Sequence, residues 1–289
     1  MKTFRFKKID AFATAESAGN PAGAIYLDRR QDITVDEMAR IARELKGFVG
    51  EVGYVARLDD ETLDLRYYSS EREVDFCGHA TIAIMYDLLK NSPDMAKKQF
   101  VTIFTSKGTL VVENRIDQED GVFISAPSPV FSNVDVAPEP LAQALGIPAG
   151  EIGADYPLAI VDAGLETLLV PIAGLDPLLS MTPPFEDLAR YCQETAIDIV
   201  TVFSDQVADP ANAYRTRVFA PTFGYLEDPA TGSGNAALGC YLLKHGRWDG
   251  SPISLEQNGE RDRPNTVRLL ARPGDPPPVS YTHLTLPTN

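Results

Sequence analysis

Two short segments carry residue types suited to acid–base chemistry on a small acid. In Phe76-Cys-Gly-His-Ala-Thr81 a histidine follows a glycine at the head of an apolar run. In Glu227-Asp-Pro-Ala-Thr-Gly-Ser-Gly234 an acidic pair precedes another glycine-entered apolar run. If each run is a helix, its first backbone N–H groups have no partner in the helix and attract anions. Glycine at the entry lets a ligand approach that backbone. The spacing therefore predicts a small carboxylate-bearing molecule held between two helix heads at Gly78 and Gly232, with the titratable groups of His79 and Asp228 beside it. Taken singly, each glycine serves a tight turn, and Glu227–Asp228 serves as a capping cluster.

The two segments are related by more than type. At a constant offset of 154 residues Gly78 meets Gly232, Ala83 meets Ala237, and Leu88-Leu89-Lys90 meets Leu242-Leu243-Lys244. Upstream, Arg66-Tyr-Tyr-Ser-Ser corresponds in type to Arg217-Val-Phe-Ala-Pro. Both halves read as strand, polar loop, glycine turn and helix, which indicates an internal repeat. Both helical runs are apolar almost all the way round, so each must be enclosed on every side. The fold class that satisfies this is α+β with two pseudo-symmetric lobes, each a barrel-like sheet around a central buried helix.

Other signals fill in the frame. Phe4 to Phe12 and Ala24 to Leu27 read as strands around the Gly19-Asn20-Pro21 turn. Thr34 and Glu37 have capping-box spacing, and Met38, Ile41 and Leu45 continue it at helical intervals, which predicts a helix over 35–46. Strands follow at 51–58 and 63–69, a helix at about 80–90, then strands at 100–105 and 109–114 around Lys107-Gly108. Ser125-Ala-Pro-Ser-Pro129 and Ala137-Pro-Glu-Pro140 read as linker, giving an N-terminal lobe of 1–126 and a C-terminal lobe of 127–279. Residues 280–289, Ser-Tyr-Thr-His-Leu-Thr-Leu-Pro-Thr-Asn, read as a non-native tail of adapter or vector origin on a truncated gene, with a terminal strand missing.

Composition bounds the function. The 289 residues are 44% hydrophobic and 23% charged, an ordinary globular balance. Lys+Arg total 26 against 41 Asp+Glu, a formal charge of −15 that disfavours nucleic acid and anionic lipid as partners. Cys77, Cys192 and Cys240 are too few and too scattered for a disulfide framework or structural zinc site. The N-terminus has no apolar run of signal-peptide type, and no stretch is long enough to span a bilayer. A reduced, cytoplasmic protein is the expectation.

Gly19-Asn-Pro-Ala22, Glu51 ahead of an aromatic, Glu73-Val74 with Cys77-Gly-His-Ala-Thr81, and Phe219-Ala-Pro221 with Glu227-Asp-Pro-Ala-Thr-Gly-Ser233 occur in that order. Together, from residue 4 to about 270, they resemble the PhzF family of phenazine-biosynthesis-like isomerases, which shares the diaminopimelate epimerase fold. The resemblance implies cofactor-independent isomerisation of a small carboxylic acid, with no metal. Glu51 would shuttle the proton, assisted by His79, Asp228 and Ser233, and Asn20, Gly78 and Gly232 would bind substrate. A carboxyl in a closed cleft can both give and take a proton near neutrality, and His79 and Asp228, hydrogen-bonded across that cleft, would orient one another. A homodimer is the assembly the resemblance implies.

The epimerases of this superfold oppose two cysteines. Here Cys77 meets Thr231, whose hydroxyl is too weakly acidic, so a two-thiol racemase is disfavoured and Cys77 reads as a small buried apolar residue. The context Gly50-Glu51-Val52 departs from the hydroxyl residues that flank this glutamate in the family. That departure leaves open a non-catalytic carboxylate-binding protein on the same scaffold. Gly232-Ser-Gly234-Asn-Ala-Ala237 also fits the glycine pattern of dinucleotide sites, but Pro229 interrupts the strand such a site needs.

Overall fold

A computed structural model describes residues 2–60, 62–132, 136–274 and 278–282. The described chain divides into two compact units, one running to Ser125 and including Thr282, the other running from Ala126 to Tyr281.

The first unit opens with β1 (Arg5–Ala11) and β2 (Asn20–Leu27), antiparallel from Arg5↔Tyr26 to Ala11↔Asn20. Gly19 closes their connection at φ +69°, where a side chain would strike the Ala11 carbonyl oxygen. Helix α1 (Val35–Glu44) crosses over to β3 (Glu51–Arg57), which lies parallel to β2, as a parallel pair requires. The predicted capping box is formed: Thr34 Oγ1 accepts from Glu37 N at 3.2 Å and Glu37 Oε2 accepts from Thr34 N at 2.9 Å. Strands β4 (Thr62–Ser69) and β5 (Glu73–Val74) lead into α2 (Gly78–Asn91), followed by β6 (Phe100–Thr105), β7 (Gly108–Arg115), the short α3 (Ile116–Glu119) and β8 (Gly121–Ser125). Strand β4 pairs antiparallel with β3 and β5 and parallel with β6.

The second unit repeats the scheme. After β9 (Val130–Phe131) and α4 (Pro138–Leu145) come the antiparallel β10 (Ala159–Asp162) and β11 (Glu166–Pro171). Helices α5 (Leu175–Ser180) and α6 (Phe185–Thr195) occupy the crossover to β12 (Ile199–Ser204), parallel to β11. Then follow β13 (Tyr214–Phe219), β14 (Glu227–Asp228), α7 (Gly232–Lys244), β15 (Ile253–Gln257) and β16 (Asn265–Ala271). Strand β13 pairs antiparallel with β12 and β14 and parallel with β15, the pattern of β4 in the first unit. The repeat extends to an ion pair: Arg66 on β4 holds Glu73 on β5 at 3.3 Å, and Arg217 on β13 holds Glu227 on β14 at 2.7 Å.

Each unit curls its sheet around one helix. Helix α2 packs on β1, β2, β3 and β8, and α7 packs on β10, β11, β12 and β16. Every residue from Gly78 to Tyr86 is buried, as is every residue from Gly232 to Leu242. Close approach is built in: a side chain on Gly53 of β3 would run into Ile84 of α2.

Two expectations change. Helix α2 starts at Gly78 rather than about 80, so the glycine is its first helical residue. The Ala137–Pro140 stretch is no linker: Pro138 opens α4, because a proline at the first helical position loses no hydrogen bond and already has helical φ. Of the proposed tail, Ser280, Tyr281 and Thr282 are described, buried in β17 (Val279–Thr282), and residues 283–289 lie outside the described residues. No helix among the described residues is long and apolar enough to cross a membrane.

Candidate functional site

In the first unit the candidate residues gather at strand starts and at one helix head. Parallel pairing of β2 and β3 sets Ala22 opposite Glu51, so the first residue of β3 lies beside the Asn20-Pro21 turn. Asn20 and Glu51 are 2% and 3% exposed. Helix α2 brings Cys77 as its N-cap and His79 as its second residue, 6% and 4% exposed.

His79 Nε2 lies 3.3 Å from Glu51 Oε2, and Cys77 Sγ lies 3.4 Å from His79 Nδ1. The imidazole thus stands between a carboxyl and a thiol, out of reach of bulk water. Burial pushes its pKa down to about 3, so the ring is neutral at physiological pH. Thr81 braces the helix head: its Oγ1 donates to the Cys77 carbonyl at 2.6 Å and shares a 2.6 Å hydrogen bond with the Tyr67 hydroxyl. The contact with His79 gives Cys77 a polar partner in place of the purely apolar role read from the sequence. In register with Glu51 on β4 is Ser69, whose Oγ donates to Arg72 O and accepts from the Glu71 and Arg72 N–H groups.

In the second unit Asp228 ends β14, opposite Val218, and is 6% exposed. Its Oδ2 accepts a 2.5 Å hydrogen bond from Thr231 Oγ1, a short charge-assisted contact. Gln257 on β15 ties this loop together. Its Nε2 donates to Asp228 O at 2.8 Å and to Thr231 Oγ1 at 3.1 Å, while its Oε1 accepts from Thr231 N at 2.8 Å and Asn235 Nδ2 at 2.6 Å. Asn265 donates to Pro229 O at 2.8 Å. Ser233, at the position matching His79, is buried as the second residue of α7. Gly232, at the position matching Gly78, has the Tyr281 ring against it, where any side chain would collide.

Glu51, His79, Gly78 and Asn20 therefore belong to one unit, and Asp228, Gly232 and Ser233 to the other. The sequence reading missed Gln257, Asn235 and Asn265. Each is a polar residue whose importance comes from burial (0%, 0% and 2% exposed), which spacing does not reveal. Thr231 lacks the thiol of a two-cysteine site and instead bonds the Asp228 carboxylate through its hydroxyl.

Comparison with known proteins agrees with this architecture. Residues 9–276 match the family model of phenazine biosynthesis-like proteins, PhzC-PhzF. The uncharacterized isomerase YfhB of Bacillus subtilis is 29% identical over 273 residues, 93% of this chain and 91% of YfhB. The trans-2,3-dihydro-3-hydroxyanthranilate isomerase of Pseudomonas fluorescens is 28% identical over 264 residues, 90% and 87% of the two chains. The crystal structure of a PhzF-family phenazine biosynthesis protein from Bacillus anthracis superposes with a TM-score of 0.85 at 23% identity, covering 100% of this chain and 98% of that one. A probable proline racemase from Agrobacterium radiobacter shares the fold at a TM-score of 0.69 and 15% identity, covering 99% and 92%. With the family model spanning nearly the whole chain and relatives named isomerases along most of its length, this protein belongs to the phenazine biosynthesis-like PhzC-PhzF family of isomerases.

Proposed function

We propose that the protein isomerises a small carboxylic acid without a cofactor, with Glu51 carrying a proton from one carbon of the substrate to another. The observation that supports this reading best is the buried 3.3 Å approach of Glu51 to His79. A carboxyl group away from water has no hydration shell to hold its proton state, so a bound substrate decides whether it gives or takes the proton. The neutral His79 ring, with one N–H and one lone pair, can support either state of its neighbour. Backbone N–H groups at the head of α2 suit a substrate carboxylate. Asp228 and Ser233 enter the proposal as assisting groups and Asn20, Gly78 and Gly232 as substrate contacts. The Asp228 role is supported by Thr231, whose hydroxyl donates to the carboxylate while Gln257 donates to that same hydroxyl and to the Asp228 main-chain carbonyl.

The test is incubation of candidate acids in deuterated water, starting with trans-2,3-dihydro-3-hydroxyanthranilate, the substrate in the name of the P. fluorescens relative. Carbon-bound deuterium should appear, and Glu51→Gln should slow its appearance by about 10²–10⁴-fold, the usual worth of a positioned acid–base group. A second reading, a carboxylate-binding protein without chemistry, draws on the absence of hydroxyl neighbours at Gly50 and Val52. It predicts thermal stabilisation by the same acids with no label in the wild type.

A further inference from the structure

We propose that Glu51, Cys77 and His79 form a site for one thiophilic divalent cation, zinc fitting best, whose occupancy shuts off proton transfer by the same residues. The second half of this proposal rests on the function proposed above; the first does not. One donor atom from each of the three side chains lies within 4.8 Å of the other two, and the three are the only such group among the described residues. All three residues are more than nine-tenths buried. His79 Nε2 has no hydrogen-bond partner although it lies 3.3 Å from Glu51 Oε2. Two ligands on a tetrahedral zinc ion, each about 2.0–2.2 Å from the metal, stand roughly 3.4 Å apart. The nitrogen and oxygen are already at that separation.

The donor set selects the metal class. A thiol, an imidazole and a carboxyl suit zinc, while calcium and magnesium prefer oxygen alone. Cys77 is the N-cap residue of α2 and holds its sulfur 3.4 Å from the His79 ring. Thiolate and carboxylate together balance the charge of a buried dication, which would otherwise be costly to desolvate. The Cys77 thiol rests against Nδ1 while the Glu51 oxygen faces Nε2, so a cation seated on Nε2 requires the Cys77 side chain to turn to that side of the ring, and a water or the carboxylate of a ligand completes the fourth position. The bound ion occupies the Glu51 oxygen and the His79 nitrogen together, so neither can exchange a proton with substrate. Binding releases the thiol proton to solvent.

The experiment uses the full chain freed of metal by chelation. Zinc is titrated against a chromophoric chelator, and cobalt(II) is followed by absorption. The expected result is one equivalent bound, a thiolate-to-cobalt charge-transfer band and loss of deuterium incorporation as zinc binds. Cys77→Ser should remove the band and weaken zinc by at least 10-fold, while Cys192→Ser/Cys240→Ser keeps both; the double variant preserves the test if Cys77→Ser fails to fold. The proposal is overturned by no stoichiometric binding, by a cobalt spectrum without a thiolate band, or by a band that survives Cys77→Ser. If no acid takes up deuterium with metal absent, the function reading fails while the metal titration still decides the site.

Discussion

His79 is a histidine whose burial has a price in acid. Its folded-state pKa is near 3 against an ordinary 6.5, so below pH 6.5 the unfolded chain binds a proton that the folded chain refuses. Its contribution is therefore complete above about 6.5 and declines as pH falls towards 3, by up to about 1.4 kcal/mol per pH unit. Urea unfolding of wild type and His79→Gln between pH 7 and pH 4 checks this: the variant should show the shallower decline. At Asp228 the prediction concerns orientation. Thr231→Val removes the 2.5 Å hydrogen bond to the carboxylate while keeping the side-chain shape. If Asp228 assists the reaction, the rate of deuterium incorporation should fall about 10-fold or more, and Thr231→Ser should restore it.

Among the elements, the parallel pair β13 and β15 is joined by a charge pair with no access to water. Arg215 and Glu256 face each other in register, 3.0 Å apart and both 0% exposed. The carboxylate also accepts from Ala208 N, Asp209 N and Asn212 Nδ2, and the guanidinium donates to Asn258 O and Glu260 O. Removing one partner leaves a buried charge alone, so Arg215→Met should cost about 3–5 kcal/mol. The joint replacement Arg215→Met/Glu256→Leu should cost less than the two single changes added together, as denaturant unfolding of the cycle would show. At the start of α1 the cap is local and exposed. There Thr34→Ala should lower stability by about 1 kcal/mol and leave deuterium incorporation intact.

Across the whole molecule, stability should follow enclosure. Helices α2 and α7 are wrapped by strands of their own units, whereas α1 and α6 bury only two residues each. Amide hydrogen exchange should therefore be slowest in α2 and α7 and much faster in α1 and α6, since an amide opens at low cost where few apolar contacts are lost. Uniform protection of all four helices would contradict this picture. The charge of −15 acts at the same scale: duplex DNA should pass the protein unretarded at about 0.15 M salt, because no counterions are released on contact.

What the amino-acid order determined by itself is whatever depends on neighbours along the chain. The Thr34–Glu37 cap, the Gly19-Asn20-Pro21 turn and the matched glycine-headed helices are local chemistry, legible as type and spacing. The all-apolar character of α2 and α7 already required enclosure, and the repeat at an offset of 154 residues already required that it happen twice. Local signals failed where context reversed their meaning, as at Pro138, whose proline opens a helix instead of marking a linker. Only the tertiary structure decided which distant side chains meet. Glu51 and His79 are brought within 3.3 Å by a strand start and a helix head that share no local pattern. Gln257 reaches Asp228 and Thr231 from a strand beyond the helix. The physical reason is that burial and non-local hydrogen bonding arise from the closing of each sheet around its helix. A residue's partners across that closure leave no trace in its sequence neighbours.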